Sequence, residues 1–323
     1  MCTAISFQTK DHYFGRNMDL DHMYPNRIIV SPRNLPFHFR RTADLDHHYA
    51  IIGMGFNVEN QPLYFDATNE YGLSIAGLNF PEYAVYLSEK SNMHNIAPYE
   101  LIPWLLGQCK NLSEALSLLE QTNIIKIPFN DKYPLTPLHW LVSDKTGSAV
   151  IEPRENGLMV YDNPLGVLTN SPPFDFHLQN LSNYRHLSCY EENSSFCDSF
   201  SFSSLSQGTG GVGLPGDLTS QSRFVRAVFT KCNSLTKDSE ASSIGQFFHI
   251  LDTVSQVRGC VRNKNLYEKT AYSSCCNTDK GIYYYTTYEN RQITGVQLFR
   301  TDLDSSKLLD FPYRTNQQIF MEN

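Results

Sequence analysis

The run Met1-Cys2-Thr3-Ala4-Ile5-Ser6-Phe7, followed closely by Phe14-Gly15-Arg16-Asn17-Met18-Asp19, decides how the rest of this chain is read. A cell that trims Met1 from in front of a small residue leaves Cys2 with a free α-amine. Thiol and amine then sit on one residue, and the amine can take the proton of its own nucleophile. A free α-amine titrates at about 7.7–8.0 and an ordinary thiol at about 8.5, so both work near neutral pH and no separate histidine is required. Arg16 supplies a guanidinium that stays charged and favours a thiolate beside it. Asp19 supplies a carboxylate that can accept a hydrogen bond from the α-ammonium and fix its orientation. Spacing alone equally allows Cys2 to be an incidental residue of a first strand, Thr3 to Phe7, with Arg16 and Asp19 an ordinary surface pair.

The 323 residues are 41% hydrophobic, enough for one large core or two small ones, and no linker marks a division; we expect a single domain over 1–323. A net charge of −7 and a pI near 5.8 argue against nucleic acid or an anionic membrane surface as partner. The first residues lack the basic and apolar regions of a secretory signal, and no apolar run is long enough to span a bilayer, so the sequence predicts a cytoplasmic protein with only Met1 ahead of Cys2. Eight cysteines occur without a Cys-x-x-Cys pair or zinc-type spacing with histidine, so no metal and no cofactor are expected. The same scatter leaves a thiol redox enzyme without a resolving cysteine. His139 lies in an alternating strand pattern and reads as a structural group, which gives a papain-like Cys/His pair little support.

Strand patterns cover Thr3 to Phe7, Arg27 to Ser31, Tyr49 to Met54, Leu63 to Ala67 and Leu73 to Leu78, at spacings that suit antiparallel hairpins. Helical spacing follows at Leu112 to Leu119, with Ser113 or Asn111 as N-cap, and at Ile244 to Val254, with Ser242 as N-cap. Between them Trp140 to Ser143, Ala149 to Glu152 and Leu158 to Tyr161 form a meander, and a hairpin is expected around Glu289-Asn290-Arg291. Alternating blocks of strands and helices predict an α+β layered architecture of two antiparallel sheets with helices outside. A Ser- and Gly-rich excursion spans about 190–213; its glycines lack the Lys-Ser/Thr ending of a phosphate loop.

Taken together, Met1-Cys2-Thr3, Phe14 to Asp19, Asn69-Glu70-Tyr71-Gly72-Leu73, Gly77-Leu78-Asn79-Phe80-Pro81, Leu168-Thr169-Asn170-Ser171-Pro172, and Gly213 to Asp217 with Ser222-Arg223-Phe224 closely resemble the choloylglycine hydrolases. The matches run on to Tyr288-Glu289-Asn290-Arg291-Gln292, over essentially the whole chain. The resemblance implies a four-layer αββα sandwich, the N-terminal-nucleophile hydrolase fold. It also implies amide hydrolysis through a thioester, with a catalytic group at Cys2, Arg16, Asp19, Asn79, Asn170 and Arg223. In that reading Asn170 and Asn79 hold the oxyanion, a service worth about 10²–10³ in rate. Arg223 adds a cation near the thiolate. The excursion at about 190–213 resembles the assembly loop through which family members form tetramers, which implies a homotetramer.

That family comprises bile salt hydrolases and penicillin V acylases, and Asn79 separates them: bile salt hydrolases resemble this chain in Gly-Leu-Asn-Phe-Pro, whereas the acylases usually place Tyr there. The resemblance therefore favours glycine- or taurine-conjugated bile salts as substrate. Met18, Leu20, Phe56, Ile127 and Phe129 are candidates to line a trough for the steroid, and could equally be core. A non-catalytic steroid-binding protein of the same fold is the alternative from a different class.

Overall fold

The computed structural model describes residues 1–191, 197–200, 203–204 and 206–323. The Ser-rich part of the excursion, at 192–196, 201–202 and 205, lies outside the described residues.

Two antiparallel sheets stack face to face. In the first, the strands follow in the order Val167–Leu168, Cys2–Gln8, His12–Leu20, Leu266–Asn277, Ile282–Thr287 and Thr294–Gln297, and Val261–Asn263 attaches to Leu266–Asn277. The second runs in the order Gly157–Asp162, Gly147–Arg154, Leu138–Asp144, Ser74–Asn79, Gln61–Asn69, Ile51–Val58, Arg27–Ser31 and Leu309–Pro312. Helices Ser220–Cys232 and Glu240–Asp252 cover the first sheet, and Leu101–Gln108 and Leu112–Leu119 cover the second. The result is an αββα sandwich, as the resemblance implied.

Each sheet is buried on both faces, which explains strands that bury residue after residue instead of alternating: Ile51 to Phe56 are buried in unbroken succession. One apolar core fills the space between the sheets and reaches the two later helices, and another lies under the two earlier ones. The helix at Leu112–Leu119 starts where expected, its Asn111 side chain accepting from the Glu114 N–H at 2.9 Å. The later helix begins earlier than its apolar stripe suggested. Ser239 caps it by accepting from the Ser242 N–H, so Ser242 is inside the first turn and not the cap.

Two details bring the first sheet close to the site. Gly15 faces the strand Leu266–Asn277 so closely that a Cβ would collide with the Ser274 carbonyl, which is why the Phe-Gly-Arg run requires glycine. Across the sandwich, Asp66 of the second sheet accepts from Tyr272 and Tyr283 at 2.6 Å each and from Ser274 at 3.0 Å, all three in the first sheet. This carboxylate is 1% exposed.

Candidate active site

The pleat decides which side chains meet. Cys2 stands opposite Met18 and Ala4 opposite Arg16, so Cys2, Arg16, Met18 and Leu20 fall on one face of the first sheet, the face toward the second sheet. Asn17 points the other way and donates to the Leu251 carbonyl in the covering helix at 2.8 Å. A cavity of about 300 Å³ opens on the inward face, lined by Cys2, Arg16, Asp19 and Asn79 at its polar end. Met18, Leu20, Phe56, Ile127 and Phe129 line the same cavity, with Tyr24, Phe65 and Tyr133 beside them. Phe56 is the hub of that aromatic wall, with ring centroids 5.3 Å from Tyr24, 5.7 Å from Phe65 and 5.0 Å from Tyr133.

The main chain of Cys2 is held in an unusual way. Met1 continues the strand by one residue: the Asp19 N–H donates to the Met1 carbonyl at 2.9 Å and the Met1 ammonium donates to the Asp19 carbonyl at 3.0 Å. The ammonium also pairs with Glu268. By alternation, the N–H and C=O of Cys2 therefore point toward the sheet edge. The edge strand Val167–Leu168 pairs only with Ala4 and Ile5, then turns away. Side chains complete the missing rung. The Cys2 N–H donates to Asn170 Oδ1 at 2.6 Å, and Arg223 donates to the Cys2 carbonyl.

Arg223 is fully buried and also donates to Thr3 Oγ1 at 2.7 Å and to Asn170 Oδ1 at 2.9 Å. Burial pulls its guanidinium below the ordinary value, opposed by Asp19 and Cys2. Its reach is to the Cys2 backbone, not to the sulfur. Asn170 is fixed from several sides. Its N–H donates to Ser220 Oγ, its carbonyl accepts from Ser220 Oγ and pairs with His177 Nε2, and its amide nitrogen donates to the Asn79 carbonyl at 2.7 Å. One further N–H of that amide is left over, and the Asn79 side chain makes no hydrogen bond among the described residues. Both are donors with capacity to spare, Asn79 in the cavity lining and Asn170 against the Cys2 nitrogen.

Arg16 is also fully buried. Its donors go to the carbonyls of Asn17, Phe65 and Gly77, while Nη2 has no partner among the described residues. Burial alone would lower its basicity, but Cys2 foremost, with the Asp66 and Asp19 charges, outweighs that and raises it. Asp19 accepts from Thr270 Oγ1 at 2.6 Å through one oxygen, and the other is unpartnered among the described residues. Burial raises its carboxyl, against the pull of the chain's α-ammonium, Arg223, Thr270 and Arg16. The Cys2 sulfur lies 3.7 Å from Met18 Sδ.

All six polar candidates and all five apolar candidates from the sequence are thus brought to one locality. Sequence reasoning missed Ser220, His177 and Thr270, which act on the main chain or on a second side chain and carry no signal of their own. His139 is structural as expected: it contacts the Thr169 carbonyl at 2.8 Å and stacks on Phe80. Among the described residues no cluster of His, Cys, Asp and Glu could hold a metal ion, and no helix is long and apolar enough to cross a membrane.

Comparison with known proteins gives a consistent picture. A family model described as linear amide C–N hydrolases, choloylglycine hydrolase family, matches residues 2–311. The chain is 51% identical, over the full length of both, to a bile salt hydrolase/transferase of Lactiplantibacillus plantarum. It is 34% identical to a conjugated bile acid hydrolase of Lactobacillus gasseri, over 96% of this chain and all of the relative. A crystal structure of a mutant conjugated bile acid hydrolase from Clostridium perfringens superposes with a TM-score of 0.92 at 39% identity, covering both chains completely. A penicillin V acylase from Agrobacterium tumefaciens shares the fold, with a TM-score of 0.77 at 18% identity over 97% of this chain and 91% of the other.

Proposed function

The chain belongs to the choloylglycine hydrolase family of linear amide C–N hydrolases, and from that premise we propose that it cleaves the amide of glycine- or taurine-conjugated bile salts, with Cys2 as nucleophile. The observation that carries this reading is the position of Cys2, at the polar end of an aromatic-walled cavity whose basic lining groups are Arg16, His22 and Lys132. Such a wall suits a steroid face, and the Arg16 and Lys132 charges suit an anionic conjugate.

Once Met1 is removed, the Cys2 nitrogen becomes an amine that still faces Asn170 Oδ1. It takes the thiol proton as the sulfur attacks the amide carbon. The oxyanion is met by the Asn79 side chain and the spare N–H of Asn170. Arg16 stabilises the thiolate before attack. The ammonium then passes its proton to the departing amino acid, and the same amine activates the water that cleaves the thioester. Asp19 and Arg223 hold the reacting residue, Asp19 through its charge near the amine and Arg223 through the Cys2 carbonyl.

Asn79, in place of the Tyr usual in penicillin V acylases, favours the bile salt over the penicillin reading. We further propose a cytoplasmic homotetramer assembled through the excursion at about 190–213. Incubation of the purified protein with glycocholate, taurocholate and penicillin V, beside Cys2→Ala, tests the function. Amine release from the bile salts that is absent in the variant is expected. Equal release by both proteins would sink the nucleophile assignment.

A further inference from the structure

Arg16 presents a puzzle of charge. It is a fully buried guanidinium with no carboxylate within ion-pair distance among the described residues, its bonds going to backbone carbonyls. A buried charge without compensation is costly. Asp66 has the complementary problem. Its carboxylate is buried with three hydroxyl donors and no cation in contact. The two face each other across the gap between the sheets. Arg16 donates to the carbonyl of Phe65, the residue next to Asp66, and the Arg16 N–H donates to Ser274 Oγ at 3.1 Å, the hydroxyl that itself donates to Asp66.

We propose that Asp66 is the buried counter-ion of Arg16 and sets the pH at which Cys2 becomes reactive. The inference rests on the Cys2-nucleophile reading above and adds a positioning residue that does not touch substrate. Three donors on two oxygens is the pattern of an ionised carboxylate. Burial pushes the phenols of Tyr272 and Tyr283 far up, so both keep the protons they donate. Burial raises the Asp66 carboxyl overall, against the opposing pull of Arg16 and the three hydroxyls.

The groups around Cys2 come from every packed element: Arg16 and Asp19 from its neighbouring strand, Tyr272 and Glu268 from the next, Asp66 from the opposite sheet, and Arg223 from the covering helix. Two guanidinium groups and the α-ammonium are set against three carboxylates, Asp19, Asp66 and Glu268, so the centre is balanced before Cys2 ionises. Removing the Asp66 charge leaves a surplus cation. The thiolate is then favoured and the α-ammonium disfavoured.

The test is the pH dependence of Cys2 alkylation by iodoacetamide, mapped at the peptide, together with the pH profile of kcat/KM. Wild type is compared with D66N, and with D66S should the amide fail to fold. Taking about 10 Å and an effective dielectric of about 20, loss of one unit charge moves the alkylation midpoint down by about one pH unit. D66E, which keeps the charge, is expected to hold the midpoint near wild type. A folded D66N or D66S with an unmoved midpoint, or one that moves up, overturns the proposal and leaves Asp66 a staple between sheets. Failure of the nucleophile reading has a separate signature, full bile salt hydrolysis by C2A, while the Cys2 alkylation midpoint is still read in wild type and in the Asp66 variants.

Discussion

Asn170 offers the sharpest test, because its two amide atoms do different work. The oxygen accepts from the Cys2 nitrogen at 2.6 Å and from Arg223 at 2.9 Å, and the nitrogen donates to the Asn79 carbonyl at 2.7 Å. In Asn170→Ala all three bonds go. The buried Arg223 loses its acceptor there, at a cost of about 1.5–3 kcal/mol. For a chain of this size that is a fall in Tm of roughly 5 °C. Loss of an oxyanion donor and of the grip on the Cys2 nitrogen should lower kcat by about 10²–10³. Asn170→Asp separates the two atoms. The carboxylate keeps the acceptor for Cys2 and strengthens the pair with Arg223, so Tm is held or raised. It offers no donor, so kcat falls about as far as in the alanine variant. Glycine release from glycocholate and a thermal melt read both quantities. An aspartate variant with wild-type kcat would refute the use of the amide nitrogen. An alanine variant within about threefold of wild type would refute the residue's role altogether.

Other outcomes follow from burial and strand geometry. His12 and His177 are both lowered to about 4, in each case mainly by burial, so the unfolded chain binds protons below about 6.5 that the folded chain does not. Stability is therefore complete above that value and lost as pH falls from 6.5 toward 4, by up to roughly 3 kcal/mol for each. Melting curves across this range should show the decline, and His177→Gln should flatten part of it. Gly15→Ala drives a methyl into the Ser274 carbonyl and should cost about 1–3 kcal/mol in denaturant titrations; a neutral substitution would contradict the close approach. Intact-mass measurement of fully active protein should find Met1 absent, and its retention would remove the proposed base. Deleting 193–206 should give smaller species on a sizing column, whereas an unchanged tetramer would exclude the excursion from assembly.

Most strands were legible where β-branched and aromatic runs end at Gly, Pro or Asn, though His12–Leu20 was not read as one. Arg27–Ser31 has the predicted bounds. Leu266–Asn277 was not seen, because Glu268, Lys269 and the run Ser273-Ser274-Cys275-Cys276 mask a strand whose Thr270 and Ser273 are satisfied by the adjacent strand and whose Tyr272 and Ser274 are satisfied by Asp66 of the facing sheet. Leu101–Gln108 was also missed: Pro103 reads as a breaker, yet it sits in the first turn, where its absent N–H costs nothing. The six polar site residues came from motif resemblance. Only Cys2, Arg16 and Asp19 had a chemical reason visible in their spacing. Asn170 owes its place to where an edge strand stops, and Asp66 to a partner more than 200 positions away, as its contact with Tyr272 illustrates. Neither distance leaves a local trace in the chain.

That early stop at Leu168 has an engineering consequence. Adding one more pair of residues in register would give the outer border of the sheet a conventional finish and hand the Cys2 amide to a backbone carbonyl. The protein so made would be tidier and sturdier along that border, and its reactive nitrogen would be tied up as structure. Chemistry here depends on a β-sheet left one rung short.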